Sequence, residues 1–424
     1  MEKRHDWRSR FQLPYVLMLA VNLGFLAFAF ALESPANIFE GFLRIISSRS
    51  ILVTDYVAVG GVSATFLNVA IVGLFSVLLL MLSGIKPSGA IIMALWVTAG
   101  FACFGKNVFN MLPLTFGVWL FSKYKREPFA NYTLASLLVA TLSPVVSEMS
   151  FLGQFSFPLE MSMGILIGFV IGFIFPPVSA HMMRMHSGYD LYSMGFAGGL
   201  IGTIFATTAR SMGMDLVPAE YWGHGNNTHM AILLYTVAAA LICCGIFAGG
   251  PRGSLREFRK FFGHTGRLIT DFYFLYKNRI YINMGILCAF ATTIVLILGA
   301  ELNGIAIAGI FTMVGFGCFG KHLKNVTPVL IGAALSAYLN RWDLISPSNV
   351  AAVLFSSALA PLAGQFGWIW GAVAGFLHVG VAMFVGELNG GLNLYNNGFA
   401  AGFIAMFLLP IITVSERMRK GHED

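Results

Sequence analysis

Charge is what this sequence has least of. Only 11% of its 424 residues are Asp, Glu, Lys or Arg, where a soluble domain carries about 25%. Too few charges are present to clothe a water-facing surface. Cysteine is scarce too: Cys103, Cys243, Cys244, Cys288 and Cys318 all sit inside apolar stretches. That placement reads as reduced packing residues and excludes a disulfide framework. The chain has no Walker A, GxSxG or HExxH motif, no GxGxxG in a strand–helix context, and no polar stretch large enough to fold into a nucleotide-hydrolysing domain. A primary pump is therefore not expected. The short alternating segments of a membrane β-barrel are missing as well.

What is there is hydrocarbon-length apolar sequence. Hydrophobic residues make up 57% of the chain, with 47 Gly and 39 Phe. Apolar runs recur from Leu13 to Val414, and a bilayer core takes about 20 residues per helix. The class is an all-α polytopic membrane protein whose first partner is the lipid bilayer. The net charge of +7 sits in a few short loops and at the termini. That is the distribution of cytoplasmic membrane flanks, so no nucleic-acid partner is expected. MEKRHDWRSR at the start reads as such a flank rather than a cleaved leader.

The chain also repeats itself. GFACFGKNVFNMLP (Gly100–Pro113) returns as GFGCFGKHLKNVTP (Gly315–Pro328). The match extends from Asn68–Lys106 onto Asn283–Lys321 without a gap, with about a dozen identities. It continues through Asn110/Asn325, Pro113/Pro328 and Gly117/Gly332. After a two-residue slip it reaches Leu137/Leu354, Leu142/Leu359 and Pro144/Pro361. GYDLYSMGFAGG (Gly188–Gly199) matches GLNLYNNGFAAG (Gly391–Gly402), and LVTDY (Leu52–Tyr56) matches LITDF (Leu268–Phe272). Two membrane repeats follow, over residues 13–210 and 228–414. About seven membrane segments fall in each. In the first they lie near 13–34, 62–83, 88–104, 107–122, 129–146, 157–179 and 189–208. In the second they lie near 228–249, 284–300, 303–319, 323–339, 349–365, 368–386 and 393–413. The stretches 88–122 and 303–339 are short for two crossings each and can equally be broken or re-entrant helices.

Charge then orients the halves. Lys3, Arg4, Arg8 and Arg10 place the N-terminus in the cytoplasm. Counting spans puts Lys123–Arg126, His181–His186, Arg252–Arg279 and the tail Arg417–Lys420 on the same side. Their repeat counterparts, Asn340–Asp343, the segment around Glu387, and Ser34–Arg44, are poor in base. An odd number of spans per half inverts the second repeat against the first, the usual plan of secondary transporters and several channels. Residues 36–48 and 252–264 are expected as surface helices on opposite faces. The composition fits a bacterial cytoplasmic (inner) membrane protein with both termini inside.

Three repeated constellations carry polar chemistry. Lys106 and Lys321, with Asn110 and Asn325 one turn on, either line a polar route for an anionic group or snorkel to headgroups from helix ends. Asp190, Tyr192 and Ser193, with Asn393, Tyr395, Asn396 and Asn397, precede Gly-rich apolar helices. They either form a solute site at helix N-termini within the membrane or cap ordinary spans. Asp55 and Asp271 each follow a Thr; they read as helix caps first, and otherwise as carboxylates for a coupling proton or Na⁺. Glu148 and Glu160 flank an expected external loop, Met149–Leu159, and read as solvated. His181 and His186 read as cytoplasmic loop residues, and His378 as a core or pore-lining histidine. No spacing calls for a metal or another cofactor.

The blocks GYDLYSMGFAGGLIG and GLNLYNNGFAAGFIA are similar to the signature GL-x-G-[YF]-N-x-x-L-x-G found in each half of urea transporters. The resemblance covers about 15 residues per half. It implies inverted repeats, a pore on the pseudo-symmetry axis, and a solute held by side-chain oxygens between aromatic rings. As a whole, the chain resembles uncharacterised bacterial families of multi-pass membrane proteins. The expectation is a transporter or channel for a small hydrophilic solute, anionic or amide-like, bound between the halves. A homo-oligomer is compatible with this. The alternative is an intramembrane enzyme or a structural assembly factor using Asp190, Asp55 or His378 as acid–base groups. An enzyme has no need of near-equivalent sites in both halves, so the duplication weighs toward a non-enzyme.

Overall fold

Backbone N–H and C=O groups find no partner in hydrocarbon, so apolar runs of this length fold as helices. A computed structural model describes residues 12–52, 54–214, 216, 220–249, 258–268, 270–340 and 343–420. Regular structure among them is helical, apart from isolated bridges at Thr54–Tyr221 and Asp55–Phe104. The first half contains α1 (Leu13–Leu32), α2 (Pro35–Ile46), α3 (Tyr56–Gly60), α4 (Val62–Leu82), α5 (Gly89–Phe101) and α6 (Val108–Lys125). It continues through α7 (Thr133–Leu138), α8 (Ser143–Ser150), α9 (Phe157–Met185) and α10 (Ser193–Ser211). The second half contains α11 (Asn227–Gly249), α12 (Phe272–Tyr276), α13 (Ile280–Ile297), α14 (Gly304–Phe316) and α15 (Leu323–Leu339). It closes with α16 (Pro347–Ser356), α17 (Ala360–Phe366), α18 (Trp368–Leu388) and α19 (Asn396–Lys420).

Among the described residues, 9 helical stretches are long and apolar enough to cross a membrane. The other expected segments appear as α5, α6, α10, α14 and α15, which are shorter or less apolar. At 13 residues each, α5 and α14 reach about 20 Å at 1.5 Å per residue, less than a hydrocarbon core of about 30 Å. They are enclosed instead. Every residue of α14 is buried, as is every residue of α5 except the half-buried Ala90.

These two helices pack antiparallel through reciprocal glycines. A Cβ on Gly100 would lie 3.0 Å from Ala308 Cα, and one on Gly315 would lie 2.9 Å from Met93 O. Their N-termini are tied across the halves. Asp271 Oδ2 accepts the Gly89 N–H at 2.9 Å, and Asp55 Oδ1 accepts the Gly304 N–H at 3.1 Å. The same carboxylates begin their own short helices, through Phe274 N–H at 2.8 Å and Val57 N–H at 2.9 Å. Gly223 N–H donates to Asp55 Oδ2 at 2.9 Å. The cap reading of both aspartates therefore describes their contacts, extended by a bond to the opposite half.

The spans expected at 129–146 and 349–365 are broken at matching points. Short 3₁₀ turns at Val139–Leu142 and Ser357–Leu359 interrupt them, just before Pro144 and Pro361. Proline has no N–H to continue the helical ladder.

Three expectations fail. Glu148 and Glu160 are not solvated: each is 3% exposed. Glu148 lies inside α8, where Arg49 pairs with it at 2.7 Å, and Glu160 Oε1 accepts the N–H groups of Gln154 (2.7 Å) and Phe155 (2.9 Å). His186 is not a surface loop residue: it is fully buried and bonds Ser193 Oγ at 2.9 Å. His181 is exposed, but it lies within α9 rather than in a loop. The surface helix expected at 36–48 appears as α2, with Phe39 and Leu43 exposed. Much of its expected counterpart at 252–264 lies outside the described residues, as do Lys3, Arg4, Arg8, Arg10, Arg341 and Trp342.

Candidate functional site between the two halves

The repeated lysine sentence builds a fixed turn. After α5 the chain reverses at Gly105 (φ 66°), and after α14 at Gly320 (φ 107°), conformations that favour glycine. Asn110 then closes a reciprocal capping box with Asn107, at 3.0 and 2.9 Å, and bonds Gly105 O at 2.9 Å. Asn325 does the same with His322, at 3.3 and 3.0 Å, and with Gly320 O at 2.9 Å. These asparagine amides are committed to the turn backbone and, for Asn110, to Ser147 Oγ at 2.9 Å, so Asn110 and Asn325 position the lysines. Two further asparagines clamp each turn from a neighbouring span. Asn68 donates to Ala102 O (2.8 Å) and Lys106 O (2.9 Å); Asn283 donates to Gly317 O and Lys321 O, both at 2.7 Å. Sequence reasoning did not single them out, although they are identical residues opening the aligned block.

Both lysines are buried, Lys106 at 1% exposure and Lys321 at 0%. Neither lies within ion-pair distance of a carboxylate among the described residues. Lys321 Nζ donates to Tyr192 Oη and to Ser357 Oγ (2.7 Å) and sits 4.3 Å from the Tyr192 ring centroid. Asp190 is the carboxylate whose charge reaches it from farther away. Lys106 Nζ is held more loosely, by Thr98 Oγ1 at 3.3 Å and Leu137 O at 3.4 Å. An unpaired buried ammonium costs on the order of several kcal/mol, and a desolvated cation–π contact offsets about 2 kcal/mol of that. Each ammonium carries three N–H donors and has two bonds here, which leaves capacity for an anion.

The Gly-rich blocks bring their tyrosines together. Phe101, Tyr395, Tyr192 and Phe316 form a column with successive ring centroids 5.0, 4.6 and 4.9 Å apart. The column is possible because α10 and α19 cross at glycines. A Cβ on Gly195 would come 2.5 Å from Tyr395 O, and one on Gly398 2.6 Å from Tyr192 O. Before each helix an aspartate or asparagine makes the same turn. Asp190 Oδ1 accepts the Tyr192 N–H at 2.7 Å, and Asn393 Oδ1 accepts the Tyr395 N–H at 3.2 Å. Each turn also leans on the opposite half, through Leu191 N–H to Ala358 O (3.1 Å) and Leu394 N–H to Thr141 O (2.8 Å).

Two cavities flank this centre, of about 330 and 270 Å³. The first is lined by Ala90, Asn131, Ala135, Ser193, Tyr192 and Tyr395, among others; the second by Ile305, Ser348, Ala352, Asn396 and Asn397. Ala90/Ile305, Asn131/Ser348, Ala135/Ala352 and Ser193/Asn396 are matched pairs of the sequence repeat, so the cavities occupy equivalent places. The first wall is mainly apolar. The second carries more polar surface, with Glu220 and Glu387 on its lining. His378, read as a core or pore-lining histidine, bonds Asn397 at 3.1 Å behind that wall.

Residues 34–211 and 251–414 match the family described as "Protein of unknown function (DUF1576)". The chain belongs to this family. No curated protein and no solved structure matches it. Neither finding supports the resemblance of the two Gly-rich blocks to urea transporters.

Proposed function

We propose that this DUF1576 chain is a membrane transporter or channel for a small hydrophilic solute, with its site between two halves arranged as an inverted repeat. The observation that carries the reading is the pair of buried lysines at equivalent repeat positions, without carboxylate partners among the described residues, with Lys321 against the Tyr192 and Phe316 rings of an aromatic column flanked by equivalent cavities. The antiparallel packing of α5 against α14 supports the inversion, since equivalent helices run in opposite directions. The cavities are then vestibules open to opposite faces, and the Tyr192–Tyr395 contact is the closed barrier between them. Lys321, with Tyr192 and Ser357, selects an anionic group; the Asn396 and Asn397 amides suit the polar end of the same solute. An enzyme would concentrate its acid–base groups in one half, so we read the chain as a non-enzyme that needs no cofactor. A bacterial inner membrane with both termini cytoplasmic is the setting that fits its charge pattern.

Uptake into proteoliposomes tests this. The panel is methanesulfonate, acetate, acetamide and urea, with and without Na⁺ or proton gradients. The expected result is entry of an anion above protein-free vesicles, lost in Lys321→Met and reduced in Lys106→Met. Entry of no panel member, or uptake unchanged by both substitutions, overturns the reading.

A further inference from the structure

The two halves differ at one chemically decisive pair. Asp190 in the first half stands where Asn393 stands in the second, and both make the same turn with the following tyrosine N–H. Asn393 completes its hydrogen bonding: its Nδ2 donates to Gly195 O at 3.1 Å, and its Oδ1 also accepts Thr141 Oγ1–H at 2.6 Å. Asp190 does not. It is 0% exposed, and its Oδ2 has no hydrogen-bond partner among the described residues. A bare carboxylate oxygen in a buried site is costly. A proton on Oδ2 removes that cost, because it turns the acid into a near-isostere of the asparagine that the same turn already holds. By the repeat, Gly398 O, the counterpart of the Gly195 O that Asn393 Nδ2 bonds, is the acceptor expected for that proton.

We infer that Asp190 is the proton-binding site of the carrier, taking up one proton from solution for each anion that docks at Lys321. This rests on the transport reading above and assigns its coupling ion. Charge balance is the reason. Without an anion, a deprotonated Asp190 and the Lys321 ammonium form a pair of zero net charge. An anion arriving at Lys321 would leave one net negative charge in a low-dielectric interior. Protonation of Asp190 restores neutrality, and no bond other than the new O–H is made or broken. The titratable groups around Asp190 are few. His186 Nδ1 accepts the Asp190 N–H at 3.3 Å, Tyr192 and Tyr395 lie in its field, Lys321 is the cation that acts on the carboxylate among the described residues, and Arg267 stacks on the neighbouring Tyr189 at 4.6 Å. The assignment also separates Asp190 from Asp55 and Asp271, whose oxygens bond backbone N–H groups of both halves.

Infrared titration of the full-length protein in detergent reads this without knowledge of the solute. The expected result is a protonated-carboxyl stretching band that disappears as pH rises and is absent in Asp190→Asn. That variant should keep its elution volume and helicity, since asparagine already occupies the equivalent turn. In Lys321→Met the band should persist to higher pH by about one unit or more, because the cation that favours the carboxylate is gone. No band sensitive to Asp190→Asn, a titration unmoved by Lys321→Met, or loss of the band on adding Na⁺ at fixed pH overturns the assignment. Uptake of methanesulfonate, which stays anionic, down an inward proton gradient separates the two readings. A titrating band without uptake of any probe removes transport and keeps a proton site. Uptake that Asp190→Asn leaves proton-driven removes the coupling role alone.

Discussion

Tyr192 and Tyr395 pack ring on ring, with centroids 4.6 Å apart and planes inclined at 32°, yet their hydroxyls have opposite fates. Tyr192 Oη accepts from Lys321 Nζ and meets Ser357 Oγ at 3.3 Å. Tyr395 Oη is buried with no partner among the described residues. Removing an unsatisfied buried hydroxyl is nearly free, whereas removing the acceptor of a buried ammonium costs roughly 1–3 kcal/mol. Tyr395→Phe should therefore hold or raise the thermal-unfolding midpoint in detergent, and Tyr192→Phe should lower it. Equal midpoints for the two variants would mean that the halves are energetically alike at this column.

The lysines set stability against function. Methionine fills the volume of a lysine stem without its charge, so Lys106→Met removes an ammonium held only by contacts of 3.3 and 3.4 Å. Replacing poorly paired buried charge with apolar volume is often neutral or stabilising. The expected outcome is a Lys106→Met protein at least as heat-stable as the parent. Lys321→Met should be no more stable than Lys106→Met, because it forfeits better bonds. Uptake should fall roughly tenfold or more in Lys321→Met, the loss of one charge-assisted hydrogen bond to the solute. A destabilised Lys106→Met with intact uptake would make that lysine a folding element.

These asymmetries explain which parts of the site could be read from the chain. The lysine turns were legible because Gly105 and Gly320 need left-handed backbone and the duplication kept them in register. The tyrosines were legible because polar residues before Gly-rich helices stand out in apolar sequence. The lysine acceptors were not. Thr98 aligns with Met313, and Ser357 aligns with Ala140, so each half satisfies its ammonium differently and the repeat carries no signal. Glu148 was misread for a related reason. Its partner Arg49 lies far away in the chain, and an acid next to an expected loop looks solvated until the fold delivers its cation. Helix breaks at Val139–Leu142 and Ser357–Leu359 were hidden inside runs whose hydropathy alone spells one span. Pro144 and Pro361 were aligned, but their consequence is backbone geometry that composition does not display.

Glycine at the α10–α19 crossing should be irreplaceable, while glycine facing outward should not. Gly195→Ala and Gly398→Ala put a methyl group 2.5 and 2.6 Å from the opposite tyrosine carbonyl, so the helices must part and the stack must loosen. Losses of about 1–3 kcal/mol are expected, as for overpacking in other cores. Gly24 in α1 has nothing within 4 Å of an added Cβ; there alanine should gain up to about 1 kcal/mol through helix propensity. Thermal midpoints of the three variants check this order. The crossing variants should also leak, which dye-efflux from proteoliposomes would show as protein-dependent permeability.

The orientation of the halves has a direct test in two positions of the repeat. Tyr124 is 73% exposed at the end of α6, and Asn340 is exposed at the end of α15, the equivalent helix of the second half. Under the inverted arrangement these ends lie on opposite sides of the membrane, Tyr124 in the cytoplasm beside Lys123 and Lys125, Asn340 outside. Cysteine is introduced at each as Tyr124→Cys or Asn340→Cys, with the exposed Cys243 replaced by serine. A membrane-impermeant maleimide added to intact cells should modify the second variant and spare the first until the cells are opened. If both react from outside, or both are protected, the halves run the same way. The two cavities would then open to one face, and the lysine pair could not stand on either side of a single barrier.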